Sequence, residues 1–341
     1  MGIRTAVVGG GAWGTALASH AARLGHETRI WAFESEVVEA INTHHENTLF
    51  LADTKLPESL RASSNVSAVV SGADLVILAP PSQHLRGIAE SVAPFLASSA
   101  HVVVASKGIE ESTLELLSAV LAEALPSASP ERIAFLSGPS FAREVASGLP
   151  TDVVVASDAM TAARAVQPLL HSPLFRVYTS DDPVGVQIGG ALKNVIAIAA
   201  GAGDGLGLGA NARAAIITRG LAEMTRLGVA LGANPLTFLG MSGVGDLVLT
   251  CTGDLSRNRS LGVAVAKGAD PEEYVKSHRS VAEGYYTCAA AYALAKKRGV
   301  DMPVTEQVFQ VLHRGRPLLK ALHLLMNRDY KEELHGIRAT P

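Results

Sequence analysis

Ile3-Arg4-Thr5-Ala6-Val7-Val8-Gly9-Gly10-Gly11-Ala12-Trp13-Gly14 opens the chain. A short apolar, β-branched run leads into three glycines, and a helical pattern follows. Gly9 to Gly14 match G-x-G-x-x-G. Alone that spacing is weak, because an ordinary glycine turn produces it. Here a strand precedes it and a helix follows, which is the context a dinucleotide-binding turn requires. In that reading Gly9 permits the tight turn and Gly11 lets the backbone approach a pyrophosphate. Gly14 lets helix and strand pack closely, and the helix N-terminal amides then face the phosphates.

Working outward, the helix runs through Leu24, is stopped by Gly25, and Glu27 to Trp31 form a second strand. Further apolar runs follow at Leu75 to Leu78, Val102 to Val104, Ile133 to Leu136 and Val153 to Val155. Helical stretches separate them, with Ser82, Ser112, Ser140 and Asp158 as expected N-caps. Apolar runs without alternation suit strands buried on both faces of a parallel sheet. After about Tyr178 the pattern becomes helical, notably over residues 211–227, 256–267, 284–298 and 305–314. The expected fold is therefore an α/β, Rossmann-type doubly wound domain over residues 1–185, then an all-α domain over 186–341. Every second residue from Gly201 to Gly209 is glycine. That is either a flexible loop or backbone that must approach a ligand or another domain. Only the last few residues read as a tail.

Composition narrows the function. The chain has 341 residues, 48% hydrophobic and 18% charged, with a formal net charge of -3. Nothing in that balance points to nucleic acid or an anionic membrane surface. The only two cysteines, Cys251 and Cys288, form no C-x-x-C pair and no metal-like cluster. A reduced, cytoplasmic setting is expected, with both as small buried hydrophobes. Gly9-Gly10-Gly11 interrupts what would otherwise resemble a signal-peptide core, and no run approaches the ~18 apolar residues of a bilayer span.

Chemistry concentrates on Lys193, the only charged residue between Asp182 and Asp204, in Gly190-Ala191-Leu192-Lys193-Asn194-Val195-Ile196-Ala197-Ile198-Ala199-Ala200-Gly201. An ammonium among aliphatic residues either snorkels out or is buried and paired. Burial lowers its pKa toward the range of proton transfer at neutral pH. Asp246, in Gly243-Val244-Gly245-Asp246-Leu247-Val248, is a carboxylate in need of a cation, and Lys193 is a candidate. Ser106-Lys107-Gly108 ends a strand where α/β sheets place ligands, or is a surface loop. Ser137-Gly138-Pro139-Ser140-Phe141-Ala142 lies between strand and helix, with close backbone approach expected at Gly138. Ser256-Arg257-Asn258-Arg259 is a phosphate or carboxylate cradle, or a capped helix with two solvated arginines. At the end of the second strand, Phe33-Glu34 offers a carboxylate to ribose hydroxyls. That favours NAD over NADP, unless Glu34 is a solvated helix cap. No P-loop, H-E-x-x-H or G-x-S-x-G is present, which removes the corresponding NTPase, protease and hydrolase readings.

These motifs, in this order and together with Asn211-Ala212-Arg213, closely resemble the family of bacterial NAD(P)-dependent glycerol-3-phosphate dehydrogenases, from about residue 3 to about residue 320. The resemblance implies that Lys193 exchanges the proton with the substrate hydroxyl and that Lys107 touches substrate and cofactor. Gly138, Ser140, Asp246, Ser256, Arg257 and Asn258 would complete the substrate site. Ala12, Trp13, Phe33, Ala142, Arg257, Val281 and Glu283 would line NAD or NADP, with Gly9, Gly11 and Gly14. Phe33-Glu34 departs from the histidine or arginine of many bacterial members and looks more like the eukaryotic NAD-linked branch.

The expected activity is interconversion of dihydroxyacetone phosphate and sn-glycerol 3-phosphate, supplying phospholipid synthesis. The expected partner is the small triose phosphate, with neither nucleic acid nor integral membrane contact, and the expected assembly is a homodimer. The rival readings are a 3-hydroxyacid dehydrogenase and a non-catalytic dinucleotide-sensing module. A sensor needs neither the Lys193–Asp246 pair nor the Arg257 cradle.

Overall fold

The computed structural model describes residues 2–279 and 281–328. The tail read at the end of the sequence lies outside them. The chain divides into two compact units, Met1–Ser106 with Leu117–Pro183, and Lys107–Leu116 with Val184–Pro341.

In the first unit ten strands follow in order: β1 (Arg4–Val8), β2 (Glu27–Trp31), β3 (Glu46–Asn47), β4 (Leu51–Lys55), β5 (Arg61–Ser63), β6 (Leu75–Leu78), β7 (His101–Val104), β8 (Ile133–Ser137), β9 (Thr151–Ala156) and β10 (Phe175–Ser180). Eight form one sheet in the order β10-β9-β8-β7-β6-β1-β2-β5, while β3 and β4 pair as a separate hairpin. β1 lies parallel between β2 and β6, with Val8 opposite Trp31 and Leu78. The strand order reverses there, which is where doubly wound sheets bind ligands. Successive residues of β6 and β7 feed two apolar layers. Ile77 and Val103 enter one, and Val76, Leu78, Val102 and Val104 the other.

The sheet is not wholly parallel. β9 runs antiparallel to β8, and β10 is parallel to β9. Val153-Val154-Val155 is buried on both faces in either direction, so the apolar run carries no direction. The sequence also missed β10, an edge strand that alternates buried and exposed over Phe175 to Tyr178, and the three-residue β5.

Four expected caps are corrected. Ser82 begins a short 3₁₀ turn and Ser112 lies in a turn. Ser140 and Asp158 stand two residues before their helices, so Phe141 and Ala159 occupy the cap positions.

The second unit is helical. Expected helices appear as Gly209–Ala230, Arg257–Ala266, Glu283–Arg298 and Pro303–Arg314. They follow Pro183–Gly205, an apolar helix buried along most of its length. That helix is long and apolar enough to cross a membrane, contrary to the sequence reading, yet 89% of its most apolar stretch is buried in the protein. Most of the alternating glycines are helical, with Gly207 in the turn between two helices. Gly201, Gly203 and Gly205 lie inside the helix, and a Cβ at Gly201 would stand 2.0 Å from the Arg259 carbonyl oxygen. The close approach is to another helix.

Candidate active site

Lys193 sits in the middle of Pro183–Gly205 with its side chain buried. Its Nζ donates to Asp246 Oδ1 at 2.7 Å and to Thr250 Oγ1 at 2.9 Å. Lys107 Nζ donates to the other carboxylate oxygen, Oδ2, also at 2.7 Å. The carboxylate therefore bridges two ammoniums and is itself only 1% exposed. Three local features create this arrangement. A π-type turn, Met241–Gly245, delivers Asp246 to the first position of the helix Asp246–Thr252. Gly189 lets the Lys193 helix lie against that turn, since a Cβ there would stand 2.2 Å from the Ser242 carbonyl oxygen. The excursion Lys107–Leu116, closed by an Ile109–Leu116 bridge, carries Lys107 from the end of β7 into the helical unit.

Desolvation by burial lowers the Lys193 pKa to about 8, against the raising pull of Asp246, while the Lys107 charge lowers it further. For Asp246 burial alone would raise the pKa, but the two lysines outweigh it and hold the carboxyl below its ordinary value. Asp246 thus stays ionised while Lys193 can gain or lose a proton near neutral pH, which general acid–base work needs. Snorkelling is excluded, because the ammonium is paired inside the unit. Thr250 was not read from the sequence. Its signal was available: it follows Asp246 by four residues, one turn along the same helix face.

Ser256 caps its helix as expected, accepting from Arg259 N at 3.2 Å. Asn258 Nδ2 donates to Asn194 Oδ1 at 2.9 Å, and its Oδ1 accepts from Gly284 N at 2.9 Å. Asn258 therefore ties the Lys193 helix to the start of Glu283–Arg298, the helix that Val281 precedes and Glu283 opens. Arg257 is exposed at the head of its helix. Arg259 is not a solvated arginine, because it pairs with Asp204 at 2.8 Å and Asp254 at 2.9 Å, and Arg213 shares Asp204 at 3.0 Å. Cys251 is buried beside this array with its thiol pushed up to about 12 by burial, so it is inert at neutral pH.

In the first unit the glycine turn is built as its sequence implies. Gly9 has φ of 131°, and a Cβ on it would stand 2.7 Å from the Ala79 carbonyl. A Cβ on Gly14 would stand 1.9 Å from the Gly9 oxygen, whereas Gly11 faces open space. Gly11 caps Ala12–Arg23 without a side chain, so the first-turn amides have no intrahelical acceptor. An open backbone approach beside uncapped helix amides fits a dinucleotide pyrophosphate. Trp13 Nε1 donates to the Ala105 carbonyl at 3.2 Å. Phe33 is 80% exposed. Glu34 precedes Ser35–His44 without capping it through its side chain. Arg29 is held by Glu27 at 3.0 Å and the Ala68 carbonyl at 2.9 Å. Gly138 has φ of 130° and accepts the Ser140 hydroxyl at 2.9 Å, and Ala142 opens the helix that follows. Among the described residues no cluster of His, Cys, Asp and Glu could hold a metal ion.

Comparison with known proteins agrees in both halves. Residues 4–163 match the model of the NAD-dependent glycerol-3-phosphate dehydrogenase N-terminus and residues 182–323 that of the C-terminus. A glycerol-3-phosphate dehydrogenase [NAD(P)+] of Geobacter sulfurreducens is 50% identical over 98% of this chain and 99% of its own. One of Geobacter metallireducens is 51% identical over the same shares. The crystal structure of glycerol-3-phosphate dehydrogenase from Coxiella burnetii superposes with a TM-score of 0.91 at 38% identity, covering 96% of this chain and 99% of that one. This chain belongs to the NAD-dependent glycerol-3-phosphate dehydrogenase family.

Proposed function

We propose that the protein interconverts dihydroxyacetone phosphate and sn-glycerol 3-phosphate with NAD(H) or NADP(H), supplying glycerol 3-phosphate for phospholipid synthesis. The observation that carries this reading is the buried Lys107–Asp246–Lys193 array. When bound, the nicotinamide supplies or accepts the hydride. The chain's own residues handle the proton. Protonated Lys193 donates to the oxygen of the ketone as it becomes a hydroxyl, and neutral Lys193 takes that proton back in oxidation. Asp246 holds both ammoniums in place, so the array passes from a net positive to a neutral charge as Lys193 gives up its proton. Lys107, held on the same carboxylate, is placed beside the developing alkoxide. Arg257, exposed at a helix start, with Ser256 and Asn258, supplies the phosphate anchor, and remote phosphate binding is spent on orientation. Gly138 and Ser140 complete the substrate contacts.

Gly9, Gly11, Ala12, Trp13 and Gly14 cradle the dinucleotide, and Phe33, Lys107, Ala142, Arg257, Val281 and Glu283 line it. The reading includes a homodimer in the cytoplasm, the latter supported by two free, buried cysteines. The test is loss of nicotinamide absorbance with dihydroxyacetone phosphate against 3-oxoacids. Turnover of the triose phosphate alone is expected. Turnover of 3-oxoacids alone would overturn the assignment.

A further inference from the structure

The glycine turn is held from beneath by a side chain that no motif marks. Asn47 lies in β3, and the β3–β4 hairpin follows the helix Ser35–His44. It is fully buried. Its Nδ2 donates to the Gly10 carbonyl at 2.8 Å and to Thr15 Oγ1 at 2.8 Å. Its Oδ1 accepts from Phe50 N at 3.1 Å, which fixes the orientation of the amide. Thr15, also fully buried, donates its own hydroxyl to the same Gly10 carbonyl at 3.2 Å. One carbonyl oxygen in the middle of the glycine turn thus receives two side-chain donors, and those donors are bonded to each other.

A trans peptide points its C=O and N–H in opposite directions. Pinning the Gly10 oxygen inward therefore turns the Gly11 N–H away from Asn47 and Thr15, and no heavy atom lies within 4 Å of where a Cβ on Gly11 would stand. That N–H joins the uncapped amides of the following helix. Glycine turns are conformationally permissive, so an unpinned Gly10–Gly11 peptide is free to flip. In the flipped state it would present a carbonyl oxygen to an anion.

We propose that Asn47, with Thr15, is a positioning residue for dinucleotide binding. The pair locks the Gly10–Gly11 peptide in the orientation that receives the pyrophosphate. This rests on the reading of the glycine turn as the dinucleotide cradle.

The experiment measures binding of NADH and of ADP-ribose by calorimetry, with steady-state kinetics in parallel, on wild type, Asn47→Ala, Thr15→Val and Thr15→Ser. Both ligands carry the pyrophosphate. Asn47→Ala is expected to weaken both by about tenfold or more, as befits the loss of a preorganised donor set. The KM for dihydroxyacetone phosphate should stay near wild type. Thr15→Val is expected to weaken both ligands as well, and Thr15→Ser, which keeps the hydroxyl, to restore them. Should Asn47→Ala fail to fold, the Thr15 pair carries the test. Unchanged affinity for both ligands in folded Asn47→Ala or Thr15→Val would overturn the proposal. So would an equal loss of dinucleotide and triose phosphate affinity, which marks a general structural defect. Failure of the cradle reading itself looks different: wild type would bind neither ligand, or a bulky Gly11→Val would leave both affinities intact.

Discussion

Lys193 is one of two ammoniums on a single buried carboxylate, and that ratio sets its chemistry. One carboxylate cannot fully offset two cations in a dry site, and burial loosens the proton of Lys193, the more buried of the two. With a pKa of about 8, the ammonium needed for ketone reduction is lost as pH rises through that value. The neutral amine needed for alcohol oxidation is gained over the same range. kcat/KM for reduction should therefore fall above about pH 8 and kcat/KM for oxidation should rise through it, a mirrored pair of profiles. Profiles that bend in the same direction would place the titration elsewhere. At the cofactor corner, Phe33 is exposed, Glu34 makes no cap bond and Arg29 is already engaged by Glu27. Arg29 is thus engaged rather than free to meet a 2′-phosphate. NADH is expected to serve at least as well as NADPH. Glu34→Arg should raise the NADPH-to-NADH ratio of kcat/KM by about tenfold, as one charge-assisted bond to a phosphate would. An unchanged ratio would show that another residue selects the cofactor.

Helix packing in the second unit depends on glycine and on one buried acid. A Cβ at Gly201 would meet the Arg259 carbonyl oxygen, which is backbone and cannot swing aside. Gly201→Ala should cost about 1–3 kcal/mol by overpacking, read from the urea midpoint. A wild-type midpoint would mean that the helices separate freely. Glu223, on Gly209–Ala230, reaches the head of Pro303–Arg314. It accepts from Val304 N at 2.5 Å, Thr305 N at 3.0 Å and Thr305 Oγ1 at 2.8 Å. Burial raises its pKa to about 7 from the ordinary 4.5, despite those donors. The folded state thus binds this proton more tightly than the unfolded chain. Its contribution to stability is full below about pH 4.5 and is lost as pH rises through about 7. Glu223→Gln should flatten the decline in stability over that window, and an unaltered slope would assign the decline to other groups. Neither feature was legible beforehand. Gly201 read equally well as loop, and Glu223 reads as one more acid on an amphipathic helix, because the identity of a tertiary partner leaves no periodic mark.

Across the whole molecule, the alternation of strands and helices, the switch to helices and the glycine turn were all legible, because each is a local pattern. Sheet direction at β9 and the Lys107–Leu116 excursion were not, since both are set by partners distant in the chain. At the site, Lys193 and Asp246 were legible because a lone charge in an apolar run demands a partner, whereas Thr250 and Asn47 are uncharged and make no such demand. The central claim, that Lys193 moves the proton, is tested most directly by Lys193→Ala, with kcat and NADH affinity measured on the same folded protein. Asp246 keeps Lys107 as its partner in this variant, so the carboxylate is not left bare. The result expected is a kcat lower by about 10²–10⁴, with NADH affinity near wild type. Near-normal turnover at saturating substrate would contradict the account.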